Sequence, residues 1–179
     1  MSSADFGFTP WGRDFLRIVE PTGVTRPEPL LPRARTLARS ALTDVQVEGR
    51  IVRGTVARGG TASVAYLEFA PMPGETARSL ADVVGVAPGV TALTDDAHGL
   101  LTRVPPELAN VDCSCRARTP RCVHVLALLY DTVVRVDADP RLALSLRGYG
   151  DAHGAVESED DAIPRWIPLS SLDPATFYG

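Results

Sequence analysis

Three cysteines and a histidine fall within twelve positions, as Cys113-Ser-Cys115, six intervening residues, then Cys122-Val-His124. That cluster constrains the fold more than any other feature, because three thiolates and one imidazole are a standard tetrahedral set for structural zinc. Cys113 and Cys115 are two apart, so on an extended chain their sulfurs face the same way. Cys122 and His124 cannot share a face inside a regular helix. The spacing therefore predicts Cys122 just before a helix and His124 in its first turn, where thiolate charge is favoured by the helix dipole. The cluster uses every cysteine of the chain. The alternatives are three buried thiols beside a core histidine, an open catalytic zinc, and a Cys122–His124 nucleophile pair. A catalytic zinc needs an open fourth position and a nearby general base, and no Glu stands close by. The nucleophile pair would point apart at that spacing. The expected metal ligands are Cys113, Cys115, Cys122 and His124, and the expected ion is Zn²⁺.

Arginines surround the cluster. Arg116, Arg118 and Arg121 lie in the ligand loop, where they offset the net charge of three thiolates on a divalent ion. The chain's 18 basic residues are all arginine, and the net charge of −4 excludes a wholesale basic coat for nucleic acid. Charge is nevertheless laid in blocks: +3 over 1–60, −5 over 61–112, +3 over 113–150 and −5 over 151–179. The two basic blocks would meet phosphate if they shared a face. Arg33, Arg35, Arg39, Arg116, Arg118 and Arg121 are the candidate nucleic-acid or partner contacts.

Around the cluster, periodicity predicts an α+β fold: a small antiparallel meander packed with helices, plus a zinc-clasped finger running from a hairpin or loop into a helix. Trp11, Phe15, Ile18 and Val19 fall at helical spacing, ended by Glu20-Pro21. Residues 21–32, with four prolines, read as an extended connection. Three strands are expected over 42–48, 51–58 and 62–69, with turns at Glu48-Gly49 and Gly59-Gly60. Residues 75–84 read as a helix, and 85–99 as irregular, leaving His98 in an exposed loop and Asp95-Asp96 in a cap or turn. A short extended piece leads into Cys113. A mostly buried helix is expected from Cys122 to about residue 135, and a second over 139–146 with Pro140 in its first turn. Trp11 and Tyr130 are read as core residues.

At these residues the chain resembles the SWIM zinc finger, whose signature is C-x-C, six residues here, and C-x-H. Thr9-Pro-Trp-Gly-Arg resembles the Trp-Gly-Lys/Arg opening of bacterial SWIM proteins, and Arg33-Ala-Arg-Thr-Leu-Ala-Arg-Ser resembles their basic segment. Cys122-Val-His-Val-Leu-Ala-Leu-Leu-Tyr looks like their ligand-bearing helix, and Leu-Arg-Gly at 146–148 like their close. The likeness covers about residues 9–150. It implies zinc on Cys113, Cys115, Cys122 and His124, and a finger that binds DNA or protein. Bacterial relatives travel with SWI/SNF-type helicases; eukaryotic ones include recombination adaptors and Mutator-type transposases. The chain departs from the family pattern in the loop, where Arg116-Ala-Arg-Thr-Pro-Arg stands, at Val123 in place of Lys, and at Leu37 in place of a stacking Tyr.

The functional expectation is a non-enzymatic adaptor that recruits or supports a helicase or other DNA-processing partner. The alternative is an accessory module that binds DNA directly through its arginines. No small-molecule substrate is expected. No run of eighteen apolar residues exists, so no membrane span is expected. Residues 1–10 have neither a basic start nor an apolar core, and with sparse cysteines the chain reads as cytoplasmic. Two regions are expected: 1–150 as the finger domain with its meander, and 151–179 as an acidic tail. There Glu157-Ser-Glu-Asp-Asp is a solvated run and Trp166 marks a Pro-rich docking peptide.

Overall fold

The computed structural model describes residues 6–23, 28–85, 93–117 and 119–150. The acidic tail, with Trp166, and Arg118 lie outside the described residues. Among the described residues the fold is α+β, with one four-stranded antiparallel sheet and six helices.

The sheet comprises β1 (Leu42–Glu48), β2 (Ile51–Arg58), β3 (Thr61–Phe69) and β4 (Leu108–Cys113), in the spatial order β1-β2-β3-β4. The three expected strands are present, and the extended piece before Cys113 adds a fourth against β3. Gly59 and Gly60 both hold positive φ, at 55° and 78°, which closes the β2–β3 hairpin with a turn that other residues adopt only under strain. Alternation sorts the faces. Val52, Gly54, Val56, Ala65, Leu67 and Phe69 are buried on one side, while Arg53 and Val64 on the other are exposed.

A single long helix, α5 (Val123–Ala138), lies on the buried face, and its residues 125–130 are buried without a break. It comes so close at Gly54 that a Cβ there would lie 2.8 Å from Leu128 Cδ1. Two further helices, α1 (Pro10–Val19) and α2 (Leu31–Ser40), pack on α5. The Thr9 side chain caps α1 by accepting from Gly12 N at 2.9 Å, with Pro10 in the first turn. The basic segment 33–40 is helical; Pro32 sits in the first turn of α2, so the proline run ends by starting a helix.

α3 (Gly74–Val84), α4 (Asp95–Thr102) and the short α6 (Arg141–Ser145) complete the body. His98 departs from expectation. It stands in α4, where Nε2 lies 2.9 Å from Asp14 Oδ2 and its ring makes a T-shaped contact with Trp11, centroids 5.1 Å apart, with 18% of its side chain exposed. Asp95 and Asp96 occupy the first turn of α4 behind the N-cap Thr94, where carboxylates suit the helix dipole. Trp11 and Tyr130 are both buried in the core. No described helix is long and apolar enough to cross a membrane.

Both sheet edges are irregular. In β1 Asp44 adopts φ 53° and the register with β2 slips between Thr43 and Gln46. In β4 the N–H of Val111 donates to the side chain of its own neighbour, Asn110 Oδ1, at 2.8 Å.

Candidate metal centre

β4 and α5 deliver the four candidate ligands. Cys113 is the last residue of β4 and pairs with Ala65 on the buried face, so its sulfur points toward α5. The chain then bends. Ser114 fixes the bend by donating its N–H to Val64 O at 3.0 Å and accepting from Val64 N through Oγ at 2.9 Å. Cys115 follows directly. Cys122 is the N-cap of α5, with φ −68° and ψ 162°, and His124 is in the first turn, as the spacing predicts. Cys113 Sγ lies 3.8 Å from His124 Nδ1. All four donor atoms lie within 4.8 Å of one another.

That separation suits a metal. Bonds of about 2.3 Å meeting at tetrahedral angles place donors about 3.8 Å apart. The donor set of three sulfurs and one nitrogen is soft, and it supplies the four ligands that a tetrahedral site takes. Cys122 is 1% exposed, whereas Cys113 and Cys115 are half-buried. A cavity of about 370 Å³ opens against those two residues, lined also by Asp112, Thr119, Pro120 and Val125.

The electrostatics differ by ligand. Burial pushes the Cys113 thiol up to about 12. At Cys115 burial acts the same way but is outweighed by hydrogen bonds from the Ala117 backbone and the neighbouring sulfurs, so its thiol is lowered. His124 is lowered by burial and then by the positive charge of Arg33, which keeps the imidazole neutral and able to ligate.

The candidate arginines have different surroundings. Arg121 donates to Ile18 O at 3.2 Å and Val19 O at 2.8 Å, capping the C-terminus of α1. Arg35 donates to Glu20 at 2.6 Å and to the Tyr130 hydroxyl at 3.0 Å. The Arg39 guanidinium lies over the Phe6 ring, 5.1 Å from its centroid. Arg33 and Arg116 are exposed. Arg35 and Arg121 are thus engaged in joining α1 to α2, α5 and the ligand loop.

Two buried charges carry no local sequence signal. Asp137, near the end of α5, accepts from Gly7 N at 2.6 Å, Thr9 N at 2.8 Å and Thr9 Oγ1 at 2.7 Å, strapping residues 7–9 to the core. Arg147 donates to Val104 O at 2.6 Å, and burial lowers its guanidinium below the ordinary value.

Comparison with protein-family models, with curated proteins and with solved structures finds no match for this chain.

Proposed function

We propose that the chain is a SWIM-type zinc protein, in which one Zn²⁺ held by Cys113, Cys115, Cys122 and His124 is structural. On that reading the protein is a non-enzymatic adaptor that recruits or supports a helicase or another DNA-processing partner. The observation that carries it is the convergence of four soft donors from a strand end, a bend and a helix start. Three thiolates and an imidazole favour zinc over magnesium or calcium, and a filled tetrahedron leaves no position for water or substrate. The ion would join the end of β4 to the start of α5, across a loop that holds little apolar surface of its own.

The adaptor reading is favoured over direct DNA binding by the fate of the arginines. Among the described residues, Arg35 and Arg121 use their guanidinium groups in hydrogen bonds within the fold, and Arg39 lies over the Phe6 ring. Metal analysis of the purified chain tests the first half of the proposal, with about one zinc per chain expected from the four-ligand set. A DNA titration tests the second. The adaptor reading expects weak binding at about 150 mM salt, where non-specific complexes are already loose. Micromolar binding that Arg33→Gln and Arg116→Gln abolish, with a salt slope of about −0.9 per phosphate, would favour the alternative.

A further inference from the structure

We propose that the pair Cys113 and Cys115 is an oxidant-sensitive site, closing to a disulfide under hydrogen peroxide and releasing the metal, while Cys122 stays reduced. The inference rests on the reading of the cluster as a metal centre and adds a point of chemical access to it.

The access is asymmetric. Cys122, the N-cap of α5, is 1% exposed. Cys113 and Cys115 are half-buried, and both line the cavity of about 370 Å³ that the loop residues Thr119 and Pro120 also border. Peroxide is small and polar, and Asp112 and Thr119 give that cavity a polar wall. An oxidant entering there meets two sulfurs and not the third.

The pair can also close. A fully extended i, i+2 pair spans about 6.7 Å between Cα atoms, at the upper limit for a disulfide. The chain is not extended here, because it bends at Ser114 and Cys115. The sulfurs of all three cysteines already lie within 4.8 Å of one another.

The chemistry balances with peroxide as the oxidant. One sulfur of the pair attacks a peroxide oxygen; the O–O bond breaks, hydroxide leaves and takes up a proton, and a sulfenic acid remains. The second thiolate attacks that sulfur; the S–O bond breaks, and the second hydroxide takes a proton to become water. Two thiolates, one peroxide and two protons give one disulfide and two waters. Cys122 and His124 are then the only ligands left, and two donors do not retain the ion. A thiol reductant reverses the step by exchange.

The test uses the whole 179-residue chain as purified, with its metal content measured first. Peroxide is added in equimolar amount, metal release is followed with a chromogenic chelator, and the remaining thiols are alkylated in denaturant and mapped by mass spectrometry. The expected map has Cys113 joined to Cys115 and Cys122 alkylated, with release following disulfide formation in time. Thr119→Trp, which adds bulk at the cavity rim and replaces no ligand, should slow both several-fold, whereas Thr119→Val, which loses the same bond from the Arg121 N–H without adding bulk, should not. A disulfide that includes Cys122, equal modification of all three thiols, or an unaltered rate in the Trp variant would overturn the proposal. A sample that carries no metal would refute the metal centre, but the thiol map would still decide which pair closes.

Discussion

Gly12 packs against the carboxylate of Asp137 so closely that no Cβ fits between them. The same carboxylate receives the N–H groups of Gly7 and Thr9 and the Thr9 hydroxyl, which in turn caps α1. Gly12→Ala should therefore cost about 1–3 kcal/mol by overpacking. Asp137→Ala should cost about 3 kcal/mol, by stranding buried donors. Urea denaturation of both variants beside Arg13→Ala, an exposed control, measures this. Equal midpoints for Gly12→Ala and the control would show that the contact is loose.

Cys122 and Cys115 should differ as sites for serine. Cys122 holds extended N-cap geometry without a side-chain cap bond. A serine hydroxyl there would accept from the first turn, contributing about 1 kcal/mol. Cys115 is no helix cap. Both variants should lose metal. In excess chelator, however, Cys122→Ser should unfold at higher temperature than the metal-free parent, and Cys115→Ser should not. Identical melting of the two metal-free variants would count against the cap assignment.

Metal binding should depend on pH through Cys113. With its thiol pushed from an ordinary value of 9.0 to about 12, the metal-free fold holds that proton at neutral pH, and the ion must expel it. Apparent affinity should rise about tenfold per pH unit for each proton released. Calorimetry in buffers of different ionisation enthalpy counts those protons. The metal-free protein shows the linked effect with opposite sign. Between pH 9 and about 12 the unfolded chain loses a proton that the fold retains, so this group's contribution to stability is lost as pH rises through that window. Apo stability that is flat from pH 8 to 10 in urea titrations would contradict the burial of this thiol.

Arg35 and Arg116 separate structural from surface arginines. Arg35 ties Glu20 to Tyr130, whose phenol burial and the Glu20 contact hold up in pKa. Because Arg35 is partly exposed, Arg35→Gln should cost only about 1 kcal/mol. Arg116→Gln should stay within about 0.5 kcal/mol. Thermal unfolding of the two variants, with metal content checked, decides it; a larger loss at Arg116 would reverse the assignment.

The parts legible in the sequence are those written by local pattern. The β2–β3 hairpin shows in its Gly59-Gly60 turn, and the entry to α5 shows in the spacing of Cys122 and His124. α2 was hidden because Pro27, Pro29 and Pro32 suggest an extended chain, although a proline in a first turn is compatible with a helix. α4 carries Gly99 in its middle and a weak apolar stripe, so His98 reads as loop until Trp11 and Asp14 supply the tertiary contact. The pairing of β4 with β3 joins residues about forty positions apart, from Phe69 with Leu108 to Ala65 with Cys113, and no local signal announces it. Asp137 looks like any helix-end acid; only the returning N-terminal strap shows why it is buried. Ser114, lying between two predicted ligands, owes its role to Val64 across the sheet.

The irregular sheet edges bear on how the molecule behaves in a crowd. A strand from a second copy needs an unbroken row of outward N–H and C=O groups to pair with. At β1 the left-handed Asp44 and the register slip interrupt that row, and at β4 Asn110 has already taken the Val111 N–H. Neither edge is a clean template for intermolecular pairing, so the sheet is protected against edge-to-edge aggregation by backbone geometry on one side and by a single amide side chain on the other.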